Sequence, residues 1–224
     1  AGPLPATSNS GRFLYKPLAN IYTRLGESEK AVRVLQIALD SCRQQQDTIG
    51  IPEVYADLGR AYMDISKLDS AEQQFRYGFA YAGQHPNPDE GLQADLCGHI
   101  LSNWAQTFFF QGSPDSAKIL AQQAIELVGD NPDALVTLAE VAAGQSRYDS
   151  ADLFFARVEK LYTQDDLPLN RERSKIRHRR AKLLLERPGK PDAEAALHLC
   201  QRALQDVLPA FQPTNNRQNP PERL

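Results

Sequence analysis

Two pairs of residues have the side chains of a nucleophile and its base: Cys97 with His99, and His198 with Cys200. A thiol deprotonated by an imidazole would attack a carbonyl carbon. Both pairs are two residues apart, however, and helical residues at that spacing diverge by about 200°, so in a helix neither imidazole reaches its thiol. Each pair reads instead as a core thiol with a surface imidazole nearby. Cys42 stands alone, and three cysteines without a CxxC spacing neither close a disulfide framework nor hold zinc. The chain has no GxGxxG, no GxxxxGK[ST], no HExxH and no GxSxG. Phosphate cradling, zinc hydrolysis and a serine nucleophile therefore have no support. No catalytic, cofactor-binding or metal-binding residue is expected, and no cofactor.

Charge offers a second kind of chemistry. The net charge is −3, but between Arg171 and Lys190 nine Lys or Arg stand against two acids, so that segment carries +7 and the remainder −10. The run RERSKIRHRRAK could bind phosphate or nucleic acid by releasing counterions. It lacks the interleaved aromatics of nucleic-acid motifs. A helix with an apolar stripe at Ile176, Leu183 and Leu184, whose cations are solvated or met by an acidic neighbour, explains it better. A nucleic-acid partner is not expected.

Four stretches share one pattern: LANIYTRLGESEKAVRVLQIAL, LGRAYMDISKLDSAEQQFRYGF, WAQTFFFQGSPDSAKILAQQAI and LAEVAAGQSRYDSADLFFARV. Aligned, they place small residues where two helices approach closely: Ala19, Gly59, Ala105 and Ala139, then Ala31, Ala71, Ala117 and Ala151, then Ala38, Gly78 and Ala124. Bulky residues recur between them, at Leu18, Leu58, Trp104 and Leu138, at Tyr22, Tyr62 and Phe108, and at Leu35, Phe75 and Phe155. Small and large side chains in register are what stacked helical hairpins need to interlock. In the fourth stretch Ala142 replaces the aromatic and Val158 the second small residue, which predicts looser packing.

The pattern resembles the tetratricopeptide repeat (TPR), with a large residue, a small one and an aromatic on a first helix and two spaced alanines on a second. Equivalent alanines are 34 residues apart from Ala117 to Ala151, but 40 from Ala31 to Ala71 and 46 from Ala71 to Ala117, which requires longer helices or loops. A looser fifth copy carries Ala181, Ala196 and Ala203 around an ERPGKPD turn. The resemblance implies an all-α, right-handed superhelical array of about five hairpins. The expected layout is a flexible lead over 1–11, an array over 12–208 (repeats near 12–50, 51–90, 91–130, 131–165 and 170–208) and a Pro/Asn-rich, truncated tail over 209–224. A further resemblance rests on ALQDVLPAFQPTNNRQNPPERL, which is similar to the segment that follows the last repeat in bacterial proteins joining such arrays to a caspase-like CHAT domain.

What the TPR resemblance implies is binding. First helices would line a concave groove, with Lys16, Asn20 and Arg24 from the first copy, Asp57, Arg60 and Asp64 from the second, and His99, Asn103, Gln106 and Phe109 from the third. Family members that clamp a peptide's terminal carboxylate use Lys and Asn, then Asn, then Lys and Arg. Lys16 and Asn20 match the first pair, but Asp57 stands in place of the second Asn, and His99 and Asn103 replace the cations, so that clamp is not expected. The expected partner is a protein or peptide with apolar anchors and charges of both signs, not a small-molecule substrate. The chain would be the recognition part of a larger bacterial protein, with a peptide-sensing signalling or transcription regulator as the alternative. No run of about 18 apolar residues marks a membrane span, and a soluble, cytoplasmic chain is preferred. Oligomeric state is left open.

Overall fold

The computed structural model describes residues 11–163, 171–189 and 191–208, the side chains of Thr163, Arg171 and Glu172 excepted. Among these residues there are ten α-helices and no strand. A π-helical turn over Gly11–Tyr15 leads into α1 (Lys16–Arg24), followed by α2 (Ser28–Gln44), α3 (Gly50–Asp64), α4 (Leu68–Gln84) and α5 (Glu90–Phe110). Then come α6 (Pro114–Val128), α7 (Pro132–Gly144), α8 (Tyr148–Thr163), α9 (Arg171–Glu186) and α10 (Ala193–Val207). Residues 1–10 of the expected lead and the expected tail lie outside the described residues. Gly11, assigned to the lead, is instead buried: a Cβ there would stand 2.6 Å from Cys42 Sγ on α2.

The same turn closes four hairpins. After α1, α3, α5 and α7, one residue takes a left-handed conformation: Gly26 (φ 76°), Ser66 (58°), Gly112 (77°) and Ser146 (60°). The N–H of the next residue reaches back into the helix: Glu27 to Tyr22 O, Lys67 to Tyr62 O and Ser113 to Phe108 O at 2.9 Å, and Arg147 to Ala142 O at 2.8 Å. The left-handed residue itself donates to the carbonyl three back, at 2.9 to 3.0 Å. This double bond pattern satisfies helix-end carbonyls and reverses the chain within two residues. Glycine takes that conformation freely, whereas a serine Cβ is strained in it. Ser66→Gly is therefore expected to stabilise the protein by about 0.5–1 kcal/mol in urea unfolding. A loss of stability would show that the serine side chain has a structural role at the turn.

Helix starts follow local chemistry as well. Asp89 accepts from Leu92 N at 3.1 Å and Asp192 from Ala195 N at 2.9 Å, capping α5 and α10. Asp47 accepts from Gly50 N at 2.8 Å ahead of α3, and Pro114 and Pro132 occupy first helical positions. The extra residues between the early copies are taken up mainly by long helices, with 17 residues in α2 and in α4 and 21 in α5.

The helices group into two compact units, residues 1–137 and 138–224, and α7 crosses the boundary. In the first, α1 pairs with α2, α3 with α4 and α5 with α6, and each pair packs on the next through α2 with α3 and α4 with α5. Every small position anticipated there is buried, including Ala31, Ala71 and Ala117. Leu18 is the exception among the bulky ones: it is 37% exposed, because no described helix lies on the outer side of α1. In the second unit α9 pairs with α10 and α8 packs on α9. Ala142 and Val158, the two departures from the pattern, are both fully buried.

Candidate functional site

The first helices α1, α3 and α5 lie side by side, α3 touching both of the others. Across them runs a ladder of charges. Arg12 and Lys16 each donate to Glu53, both at 2.9 Å, and Lys16 Nζ also stands 3.6 Å from Asp57 Oδ2. Asp57 in turn feels Arg60 one turn along α3 and His99 on α5, while His99 also feels Asp133 at the start of α7. At the end of α3, Asp64 accepts from Ser28 Oγ at 3.4 Å.

Burial dominates the titration of this ladder. The Asp57 carboxyl is pushed above 3.8 by desolvation, against the opposing pull of Lys16, Arg60 and His99. His99 is pushed below 6.5 by burial and then by Arg60 and Lys16, which outweigh Asp133 and Asp57. Folded Asp57 therefore holds its proton more tightly than the unfolded chain does. Its contribution is favourable while protonated and is lost as pH rises from 3.8 through the folded value. Asp57→Asn is accordingly expected to be more stable than wild type at neutral pH by about 1 kcal/mol. The difference should close in acid. Urea titrations across pH check this, and a less stable variant at pH 7 would mean that the Lys16 contact outweighs burial.

The other anticipated groove residues fall into three groups. Asn20, Arg24 and Arg60 are exposed, and Gln106 and Phe109 are half-buried. Phe109 tilts against the exposed Phe110, ring centres 5.9 Å apart, so neither ring is a core residue. Asn103 stands apart. It is buried, and its Nδ2 donates to His99 O at 2.8 Å, so this residue belongs to the helix interior rather than to an open groove. Sequence reasoning gave Arg12 no role, although it ties the first helical turn to Glu53. The signal available was the i, i+4 pair Glu53 and Asp57, which leaves two carboxylates on one face of α3 in need of cations.

The basic run is resolved within the second unit. Arg177 donates to Glu159 at 2.9 Å and to Asp206 at 2.6 Å, and Arg173 donates to Asp206 at 2.8 Å. Arg180 grips Asp152 at 2.6 and 3.1 Å and Glu159 at 3.0 Å, and Arg179 meets Glu140 at 3.1 Å. These cations are met by acids on α7, α8 and α10, and Arg177 is buried, not solvated.

The thiols also sit differently from one another. Cys42 is fully buried and burial pushes its pKa to about 11, and Cys97 is buried with its pKa raised for the same reason. Cys200 is only half-buried. His99, expected at the surface, is itself mostly enclosed. Among the described residues no helix is long and apolar enough to cross a membrane.

No family matches the chain by sequence, and no curated protein does. Solved structures do match by shape. BtubC (BKLC) from P. vanneervenii is 17% identical with a TM-score of 0.66, the match covering 92% of this chain and 84% of that one. The TPR-like repeats of a putative kinesin light chain from Podosopora anserina are 15% identical at a TM-score of 0.63, covering 89% and 97%. A thermophilic TPR protein from Thermus thermophilus is 16% identical at 0.62, covering 87% and 90%. These likenesses show the fold, an all-α array of TPR-type helical hairpins.

Proposed function

We propose that the chain is a scaffold that binds a protein or peptide along the face of α1, α3 and α5. The observation that carries this reading is the arrangement of that face. Lys16, Glu53 and Asp57 are pinned in ion pairs, while Asn20, Arg24, Arg60 and Phe110 stand out from adjacent helices beside the half-buried Gln106 and Phe109. Side chains fixed in advance on packed helices lose little freedom when a partner arrives, so more of the contact energy becomes affinity. Apolar rings beside exposed polar groups suit an extended or helical segment. The hairpin-array fold shared with the TPR structures supports the same reading.

The test is selection of random peptides displayed on phage against the purified chain, followed by affinity measurement with Arg60→Ala, Phe109→Ala and Lys16→Ala. Binding should fall at least fivefold for Arg60→Ala and Phe109→Ala. Affinity unchanged in all three variants would remove this face from consideration. The finer reading, that the scaffold is the recognition part of a bacterial protein carrying a CHAT module, rests on residues 203–224, of which 209–224 lie outside the described residues. A caspase-like module in the same open reading frame would support it, and a DNA-binding module there would favour the regulator instead.

A further inference from the structure

Four large apolar side chains on and beside α1 are left open to water: Leu14, Leu18, Ile21 and Leu25, between 37% and 68% exposed. They follow one another at four, three and four residues, the spacing that lines side chains into a single seam along a helix. Lys16, which faces Glu53 and Asp57 on α3, is two residues from Leu18, so the seam lies on the opposite side of the helix. It carries no charge. Arg12 and Lys16 are turned to Glu53, and Arg24 is the one exposed charge of α1.

Two properties of the seam say what covers it. Intervals of four, three and four read the same in both directions, so a two-fold axis between Ala19 and Asn20 sets Leu18 against Ile21 of a second copy and Leu14 against Leu25. The surface is its own complement. Arg24 then selects the direction, because parallel copies of α1 would hold their Arg24 side chains abreast. Antiparallel copies separate them by about nine residues of helix rise, roughly 13 Å, which exceeds the ~8 Å reach of surface charges in physiological salt. We propose that the chain dimerises with a second copy of itself through the outer side of α1, the two helices running antiparallel about Leu18 and Ile21. The peptide-binding reading above is independent of this contact, which uses the other side of α1.

Sedimentation equilibrium of the purified chain across the micromolar range should show a reversible monomer–dimer equilibrium and no larger species. Ile21→Asp and Leu18→Lys each place a charge in the seam and should weaken the dimer at least about thirtyfold. An equimolar mixture of the two should return to within about fivefold of wild type, because the introduced carboxylate then meets the introduced ammonium while Leu18 and Ile21 remain paired on the other side of the axis. Leu197→Asp on α10, where the side chain is 59% exposed, should change nothing. All of these positions are open to water, so the variants should fold, and circular dichroism checks that. Should Ile21→Asp or Leu18→Lys fail the check, Leu25→Asp, at the 68% exposed end of the seam, repeats the loss. A monomer at every concentration, a dimer indifferent to the seam variants, or loss of the dimer in Leu197→Asp would overturn the proposal. So would a mixture no tighter than either variant alone, or assemblies that grow beyond two copies, as a head-to-tail contact would build.

Discussion

Arg177→Ala should destabilise the unit formed by residues 138–224 by about 3–5 kcal/mol, the range for removing one partner of a buried ion pair. Arg177 is 4% exposed and bridges Glu159 on α8 to Asp206 on α10, and it also donates to Arg202 O at 3.3 Å. Alanine would leave Asp206, 3% exposed, to Arg173 alone, and would strip Glu159 of its closest cation. Arg177→Lys should rescue only partly, because a single ammonium cannot span two carboxylates as the guanidinium fork does. Acid should act on the same pair. Burial raises the Glu159 carboxyl, but the Arg177 hydrogen bond and the charges of Arg177, Arg202 and Arg180 pull it below 4.5. That stability is therefore present above 4.5 and is lost as pH falls through the lowered folded value. Urea unfolding followed by circular dichroism checks both statements. A loss below about 1 kcal/mol for Arg177→Ala would mean that the pair contributes little beyond charge balance.

Phe75→Ala should cost a similar amount, about 3–5 kcal/mol, in the unit formed by residues 1–137. The ring is fully buried among Ala56, Ala71 and Ile100, with Tyr62, Met63, Leu96 and Trp104 packed around it. It fits because residue 59 has no side chain: a Cβ there would stand 2.4 Å from Phe75 Cε1. Gly59→Ala is thus expected to destabilise by about 1–3 kcal/mol through overpacking, despite the roughly 1 kcal/mol that alanine gains over glycine in a helix. Combined with Phe75→Leu, the Gly59→Ala penalty should shrink, since the shorter side chain frees the space. A double-mutant cycle measures this, and additivity within about 0.5 kcal/mol would show that the two positions do not compete for the same volume.

The hairpin pattern was legible because close helix contact leaves a composition trace: only Ala and Gly fit where Ala31, Ala71, Ala117 and Ala151 are enclosed. Leu18 misled for a physical reason, since the repeat assigns it to a core and the outer side of α1 lacks a covering helix among the described residues. The left-handed Ser66 and Ser146 follow from alignment with Gly26 and Gly112, not from serine's own preference. The basic run was half legible. An acidic neighbour was foreseen, but which arginines turn inward depends on where α8 and α10 place Glu159 and Asp206. The candidate face was readable as a set of residues and not as a set of states. Spacing puts Lys16, Asp57 and His99 on first helices, whereas only packing shows that Lys16 is engaged by Glu53, that Asp57 lacks a donor and that Asn103 is closed off.

The four repeated turns bear on how the chain reaches this structure. Each is completed by two main-chain bonds spanning at most six residues, so a hairpin can begin to form before any distant segment arrives. Loop-closure entropy is small at that range, and chains dominated by local contacts cross their folding barriers quickly. Nucleation can therefore start at Gly26, Ser66, Gly112 or Ser146 with equal topological ease, and the two glycines, free of strain, are the places where refolding should begin first.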